Sequence, residues 1–252
     1  MKAQRSFRAE AVILRHADWG EADRMLVILT RKKGKLRAVA KGARKMRSRK
    51  AGHVEPFMHV SLQLAKGKGP FIVTDAETIE SYQPLREDLL LTGYASYIIE
   101  LVDKFSYEEE GENLSLFKLL TDTLSRISTS PDPWLEVRYY EVNLLELMGF
   151  RPHLFHCSNC RKEIKPESQF ISPLQGGVLC PPCGQGLPGS WKISIDALKT
   201  LRHLQRSTYN VSKRIKPGSE TRKELEILMQ GYFSYVLERK LNTPGFIREV
   251  RI

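Results

Sequence analysis

Two sets of residues in this 252-residue chain could do chemistry. The first is Cys157-Ser-Asn-Cys160 and Cys180-Pro-Pro-Cys183, two CxxC pairs with 19 residues between them. Each pair makes a tight knuckle that turns two thiolates toward one ion. A second pair at this distance completes a tetrahedral four-cysteine site for zinc. Four thiolates leave no open position for water, so the expected Zn2+ is structural and not catalytic. His156 could serve as an alternative ligand, but the four cysteines already satisfy the ion. A redox role, the other use of a CxxC, needs only one pair. The flanks, with Arg161, Lys162, Lys165, Gly176-Gly177 and Gly184, are polar and turn-rich. A module of that composition has too little core of its own and needs the metal to hold its shape.

The second set is a run of cations. Residues 24–54 contain twelve Lys and Arg and no Asp or Glu, in a chain of net charge +11. Outside that window 28 basic and 29 acidic residues remain, so the whole excess sits in 31 positions. A field this concentrated points to a polyanion, nucleic acid first. A disordered basic tail is the bland alternative, and the residues between the charges argue against it. The run Met25-Leu26-Val27-Ile28-Leu29-Thr30 reads as a buried strand. Lys32-Lys33-Gly34-Lys35 is a turn. Leu36, Ala38 and Ala40 then alternate with Arg37, Val39 and Lys41, the second strand of a hairpin. The candidate DNA contacts are Arg24, Lys35, Arg37 and Lys41 on this sheet, with Arg44, Lys45, Arg47, Arg49 and Lys50 on a mobile basic loop that follows.

The elements that position these groups fall into two kinds. Residues 1–80 read as all-β. Phe7 to His16 is a strand with Ala9, Ala11 and Ile13 on one face, and Asp18-Trp19-Gly20 marks a turn. Val60, Leu62 and Leu64 alternate with polar residues, and Phe71 to Ile79 is a further strand. About five short strands predict a small barrel, the oligonucleotide/oligosaccharide-binding (OB) fold ahead of an SH3-like barrel. Its aromatics Phe7, Trp19, Phe57 and Phe71 are expected mostly in the core.

From Leu85 the period becomes helical. Residues 81–252 form a helical domain with residues 155–187 as its zinc-binding insertion. Leu90, Tyr94, Ile98, Leu101 and Phe105 share one helix face, and Leu114 to Ile127 is a second helix. Asp132-Pro133 opens a third, with Leu135, Val142, Leu145 and Met148 inward and Gly149 closing it. Ser194 caps a helix bearing Ile195, Leu198, Leu201 and Leu204. Ser219 caps another, with Leu225, Leu228, Tyr232, Tyr235 and Val236 on its apolar side. The acidic run Glu108 to Glu112 reads as a solvated loop. No apolar stretch approaches the roughly 18 residues of a membrane span, and no signal-peptide core follows Met1. An intracellular, cytoplasmic and nucleoid-associated protein with reduced cysteines is therefore expected. The chain carries no GxxxxGK[ST], GxSxG, HExxH or GxGxxG pattern, and nothing in it demands catalysis. A nuclease would need clustered carboxylates for Mg2+ in the basic window, which has none. An RNA-binding OB protein with a structural zinc is the alternative that charge leaves open.

The ordered parts resemble a known family, the bacterial recombination mediators called RecO. The resemblance rests on Ala11-Val-Ile-Leu-Arg-His with Gly20-Glu-Ala-Asp-Arg24, Gly34-Lys-Leu36, Ala40-Lys-Gly-Ala-Arg44 and Glu55-Pro-Phe57. It continues through Tyr94-Ala-Ser-Tyr97 with Glu100-Leu101, Leu144-Leu-Glu-Leu-Met-Gly-Phe150 and the four cysteines. It covers essentially the whole chain in order. It implies an α+β multidomain architecture: an N-terminal OB barrel, a helical domain and an inserted zinc-ribbon-like module. It also implies a non-enzymatic role in DNA repair. Such proteins bind single- and double-stranded DNA, anneal complementary strands and help load RecA onto strands coated by single-strand-binding protein. The implied partners are RecR and the C-terminal tail of single-strand-binding protein, with RecA served indirectly and no membrane. Lys199, Arg202 and Arg206 are the expected contacts for that acidic, hydrophobic tail. Some members lack the cysteines, which implies that zinc is not essential to DNA binding as such.

Overall fold

Alternation of apolar and polar residues decides the first 80 positions. A computed structural model describes residues 6–108 and 111–251. Strands β1 (Ser6–Trp19), β2 (Asp23–Thr30), β3 (Gly34–Ala40), β4 (His59–Ala65) and β5 (Phe71–Glu80) form a closed barrel in the order β1-β2-β3-β5-β4. This is the five-stranded Greek-key barrel of the OB fold. Closure is the work of β1. Its first half pairs antiparallel with β4, from Ser6 against Ala65 to Val12 against His59. Its second half pairs with β2, from Ala11 against Thr30 to Trp19 against Asp23, with an irregularity between Ile13 and Arg15 that bends the strand. β3 and β5 meet in parallel at Ala38–Phe71 and Val39–Ile72.

The interior holds Ala11, Ile13, Leu26, Ile28, Leu36, Ala38, Ala40, Val60, Leu62, Leu64 and Val73. That is the face the period of two selects. The β2–β3 hairpin turns at residues 31–33, and Gly34 takes φ +63°, a left-handed conformation that a side chain would strain. The turn expected at Asp18-Trp19-Gly20 lies two residues later, at residues 20–22, because Asp18 and Trp19 stay paired with Arg24 and Asp23. Val12, Leu14, Val27 and Leu29 point away from the barrel interior yet are buried too.

The outer face is covered by helices α1 (Pro84–Glu87), α2 (Leu89–Phe105) and α3 (Leu114–Thr129). α2 packs on β1, and the rings of Phe117 in α3 and His59 in β4 meet edge-on at 5.7 Å. Asp88 caps α2 by accepting from Leu90 N and Leu91 N, and Asn113 caps α3 through Leu116 N. A C-terminal helix, α9 (Thr243–Val250), lies against α2, where a Cβ on Gly93 would come within 3.0 Å of Ile247.

The compact units divide between Pro133 and Trp134: residues 1–133 with 245–252 form one, and residues 134–244 the other. The barrel thus shares its unit with α1–α3 and α9. The second unit contains α4 (Pro133–Leu147), the cysteine module, α6 (Ile195–Arg206), a short α7 (Tyr209–Ser212) and α8 (Ser219–Val236). The module has a three-stranded sheet in the order β7 (Gly177–Leu179), β6 (Gln169–Ser172), β8 (Trp191–Ile193), with α5 (Pro181–Gly184) beside it.

Two details of this unit differ from expectation. Gly218, not Ser219, is the N-cap of α8, and the buried face of that helix is Leu225, Leu228, Met229, Tyr232 and Phe233. Tyr235 is exposed and Val236 only half-buried, since they fall past the edge of that stripe. In α4, Glu136, Arg138 and Glu141 are buried alongside the expected apolar residues. Arg138 Nη2 donates to Glu141 Oε1 at 2.8 Å, and Tyr209 donates its hydroxyl proton to Glu136 at 2.9 Å.

Candidate nucleic-acid interface and metal centre

The barrel sorts the expected DNA contacts into two groups. The first is already engaged by the protein. Arg24 Nη1 lies 2.5 Å from Glu55 Oε1, and His16 takes the other oxygen at 3.1 Å. Burial works against ionisation of Glu55, but Arg24 and His16 outweigh it and hold its pKa below the usual carboxylate value. Lys35 Nζ donates to the Asp103 carbonyl at 2.6 Å and to its carboxylate at 3.0 Å, and its side chain is only 12% exposed. Arg15 Nε reaches the other Asp103 oxygen at 2.9 Å, so Asp103 also titrates low despite its burial. Arg37 Nε meets Glu108 at 2.5 Å. Arg44 ties to Asp18 at 3.2 Å and donates to the carbonyls of Gly20 and Glu21, while Lys50 donates to Val73 O at 3.1 Å.

The second group projects into solvent. Among the described residues Lys41, Lys45, Arg47 and Arg49 are exposed and make no ion pair or side-chain hydrogen bond. Lys32, at the hairpin tip, behaves the same way. The loop that carries Lys45, Arg47 and Arg49 is a chain of turns fastened to the barrel. Gly42 N donates to Asp23 Oδ1 at 2.7 Å and Arg44 N to Ala22 O at 2.9 Å. Ala43 inserts into the barrel core. The cations therefore stand on a held loop and not on a free arm.

Two side chains beside them were not anticipated. Trp19, one of four barrel aromatics expected mostly in the core, is 55% exposed at the end of β1, and Met46 is fully exposed between Lys45 and Arg47. Phe57 is buried, and Phe7 and Phe71 pack against the core as expected. The acidic run read as a solvated loop begins against the hairpin: Glu108 bridges β3 at Lys35 as well as pairing with Arg37. Glu109 and Glu110 lie outside the described residues.

The four cysteines converge. All four Sγ atoms lie within 4.8 Å of one another, and Cys160 Sγ is 3.7 Å from Cys180 Sγ. A tetrahedron with metal–sulfur bonds of about 2.3 Å has edges of about 3.8 Å, so the donor set fits the closed zinc site expected for it. Cys157 N donates to Lys162 O and Arg161 N to Cys157 O, closing the first knuckle; Cys183 N and Gly184 N donate to Cys180 O, closing the second. Burial disfavours the Cys157 thiolate, but the backbone N–H groups of Cys160, Cys180 and Asn159 bring its pKa down to about 6. Burial and hydrogen bonding to Cys183 push Cys180 up to about 12. A bound dication would hold all four as thiolates. His156 stands outside the set, its backbone forming an isolated antiparallel bridge with Glu163.

On α6, Lys199 is exposed, and the guanidinium carbons of Arg202 and Arg206 lie 5.0 and 4.8 Å from the centre of the Phe155 ring. Arg202 Nε also donates to Leu154 O at 2.8 Å.

A closed OB barrel, the helices that follow it and a four-cysteine module are the parts expected of a DNA repair and recombination protein. The sequence matches the family "Recombination protein O N terminal" over residues 1–82 and "Recombination protein O C terminal" over residues 86–244. The chain belongs to the RecO family. It is 40% identical to the DNA repair protein RecO of Roseiflexus sp. (strain RS-1), over 98% of this chain and 87% of that protein. It is 35% identical to the DNA repair protein RecO of Dehalococcoides mccartyi (strain BAV1), over 100% and 99%. With that of Symbiobacterium thermophilum the identity is 32%, over 97% and 98%. Family membership supports a role in DNA repair and recombination. No described helix is long and apolar enough to cross a membrane.

Proposed function

We propose that this chain is a non-enzymatic, cytoplasmic, nucleoid-associated recombination mediator. It binds single- and double-stranded DNA, anneals complementary strands and, with RecR, helps load RecA onto strands coated by single-strand-binding protein, whose C-terminal tail it engages. The observation that carries the DNA reading is the run of Lys41, Lys45, Arg47 and Arg49, four exposed cations without carboxylate partners among the described residues, on a fastened loop. Neutralised phosphates release counterions and let two backbones approach. Few stacking aromatics stand nearby, Trp19 being the exposed one. Such a surface grips backbones and leaves bases free to pair, which annealing requires.

The cysteine module holds one Zn2+ through Cys157, Cys160, Cys180 and Cys183. The ion's part is to lock the module's fold.

The test is annealing of tailed complementary strands, with and without single-strand-binding protein. The variant Lys45→Ala/Arg47→Ala/Arg49→Ala should anneal slowly. It should also reduce the slope of log affinity against log salt by about 2 for single strands, three contacts at about 0.7 each. Unchanged annealing and unchanged slope would remove the assignment.

A further inference from the structure

Three of the barrel's four aromatic side chains are turned inward. Phe57 is buried, and Phe7 and Phe71 meet edge-on at 5.4 Å beside the core. Trp19 is the fourth. It keeps 55% of its surface free, and its side chain makes no hydrogen bond or ring contact among the described residues. A single exposed apolar side chain needs no explanation by itself. The surroundings of this one supply it.

Register places the ring. Trp19 pairs with Asp23 across β1 and β2, and Arg24 pairs with Ala40 across β2 and β3. Ala38 and Ala40 face the interior, so by the period of two Lys41 faces out, and the same register carried one residue on sets it opposite Asp23. Gly42 N, donating to Asp23 Oδ1 at 2.7 Å, holds that alignment. Trp19, Asp23 and Lys41 therefore form one outward row, with the ring and the lysine two strands, about 10 Å, apart. Past Lys41 the chain enters the loop of Lys45, Arg47 and Arg49. Its foot is bonded to the turn that follows Trp19, Arg44 N donating to Ala22 O at 2.9 Å. The ring stands at the edge of the cationic loop and shares a face with its first cation.

We propose that Trp19 stacks on one unpaired base of the strand whose phosphates the loop cations hold, and so makes the barrel prefer single strands to duplex. Charge around the ring orders the approach. On its own turn lie Asp18, which Arg44 bridges at 3.2 Å, and the exposed Glu21. On the loop side lie Lys41, Lys45, Arg47 and Arg49. A backbone is repelled at the turn and attracted at the loop, so its phosphates settle over the loop and a base is what reaches the ring. Phosphates on cations with a base on an aromatic face is the way single strands are held, and the β1–β2 loop that Trp19 opens is one that OB barrels use for oligonucleotides. A tryptophan that anchors a protein partner sits at the centre of a well-packed, desolvated patch. The exposed neighbours here are Ala17, Asp18, Gly20, Glu21 and Lys41, small or charged. In a duplex every base is already stacked, so the ring adds nothing there, and the other bases of a single strand stay free to pair. This inference rests on the reading of the barrel as a DNA-binding domain, and the experiment below separates the two.

The test measures binding of the full chain to a labelled single strand and to the matching duplex across salt. Trp19→Ala should weaken single-strand binding about tenfold, the effect of one stacked base, and leave duplex affinity at the parent value. Its salt slope should stay that of the parent, since the ring neutralises no phosphate. Trp19→Phe keeps a stacking face and should retain most of the affinity. It should also abolish the quenching of tryptophan emission that a single strand produces in the parent, because Trp134 and Trp191 both lie in the other unit. The inference fails if Trp19→Ala lowers single-strand and duplex affinity alike, or if a saturating single strand leaves the parent's emission unquenched. The Lys45→Ala/Arg47→Ala/Arg49→Ala variant runs alongside. If it loses slope while Trp19→Ala binds single strands as the parent does, the inference fails and the barrel reading stands; if neither changes binding, both fail. Loss of RecR binding by Trp19→Ala with strand affinity unchanged would give the ring to a protein partner and overturn the proposal.

Discussion

Lys35 was expected to line a DNA surface, and its environment predicts a different role. Its ammonium sits 2.6 Å from the Asp103 carbonyl and 3.0 Å from the Asp103 carboxylate, joining the basic hairpin to α2. Lys35→Ala removes the bond to the carbonyl and the charge-assisted bond to the carboxylate, and leaves a half-buried carboxylate with Arg15. Bonds of that kind are worth about 1.5–3 kcal/mol, so a loss of about 2 kcal/mol is expected. For a chain of this length that corresponds to a fall in Tm of about 4–8 °C. The pH dependence has a definite sign. Asp103 titrates below its unfolded value of about 3.9, so the stability it lends is present above that pH and is lost as pH falls through the lowered folded value. The gap in Tm between parent and variant should therefore be full at pH 7 and close in the acid range below about 4. The salt slope of DNA binding should stay that of the parent, whereas Arg47→Ala should lower it by about 0.7. Scanning calorimetry across pH, paired with fluorescence anisotropy across salt, reads both quantities. A Lys35→Ala protein with unchanged Tm and a slope reduced by 0.7 or more would refute this assignment.

Three further outcomes follow from contacts already described. Removing Glu141 strands the buried Arg138 charge, so Glu141→Ala should cost about 3–5 kcal/mol in chemical denaturation, while Arg138→Met/Glu141→Leu should be near neutral. Cys157→Ser should abolish stoichiometric metal in elemental analysis and lower Tm more than it lowers DNA affinity; full zinc content in that variant would exclude the four-cysteine site. A Cβ on Gly184 would sit 2.4 Å from the Cβ of Phe170 in β6, so Gly184→Ala should destabilise the module and speed metal loss to a chelator, and an unchanged loss rate would contradict that packing.

Much of this was legible in the sequence because it is written in short periods. The alternation at Leu36, Ala38 and Ala40 and at Val60, Leu62 and Leu64 gives the barrel interior, and the two CxxC pairs give the metal site, since knuckle geometry is local. What stayed hidden depends on distant residues. Whether Lys35 and Arg37 face solvent or a carboxylate is decided by Asp103 and Glu108, some 70 positions away. Trp19 reads as a turn residue, but pairing with Asp23 keeps it in β1 and leaves its side chain exposed at the barrel end. The polar residues of α4 break its apolar stripe: Arg138 is buried against Glu141 one turn on, and Glu136 meets Tyr209, 73 positions away.

The charge pattern itself carries the last step. A window of twelve cations would repel itself if all of them stood free on one small barrel. The protein answers with acids from elsewhere in the same unit: Asp103 and Glu108 on the hairpin, Glu55 on Arg24, Asp18 on Arg44. Each of these pairs spends a cation on holding the barrel together and so fixes a strand, a corner or the base of the loop. At the hairpin tip Glu10 takes Arg31, and the cations left over among the described residues are Lys32 and Lys33 beside it and Lys41, Lys45, Arg47 and Arg49 along one loop. The same twelve residues thus divide between building the platform and presenting its charge. The division is set by which of them α2 and the strand ends can touch, a property of the fold that composition alone does not contain.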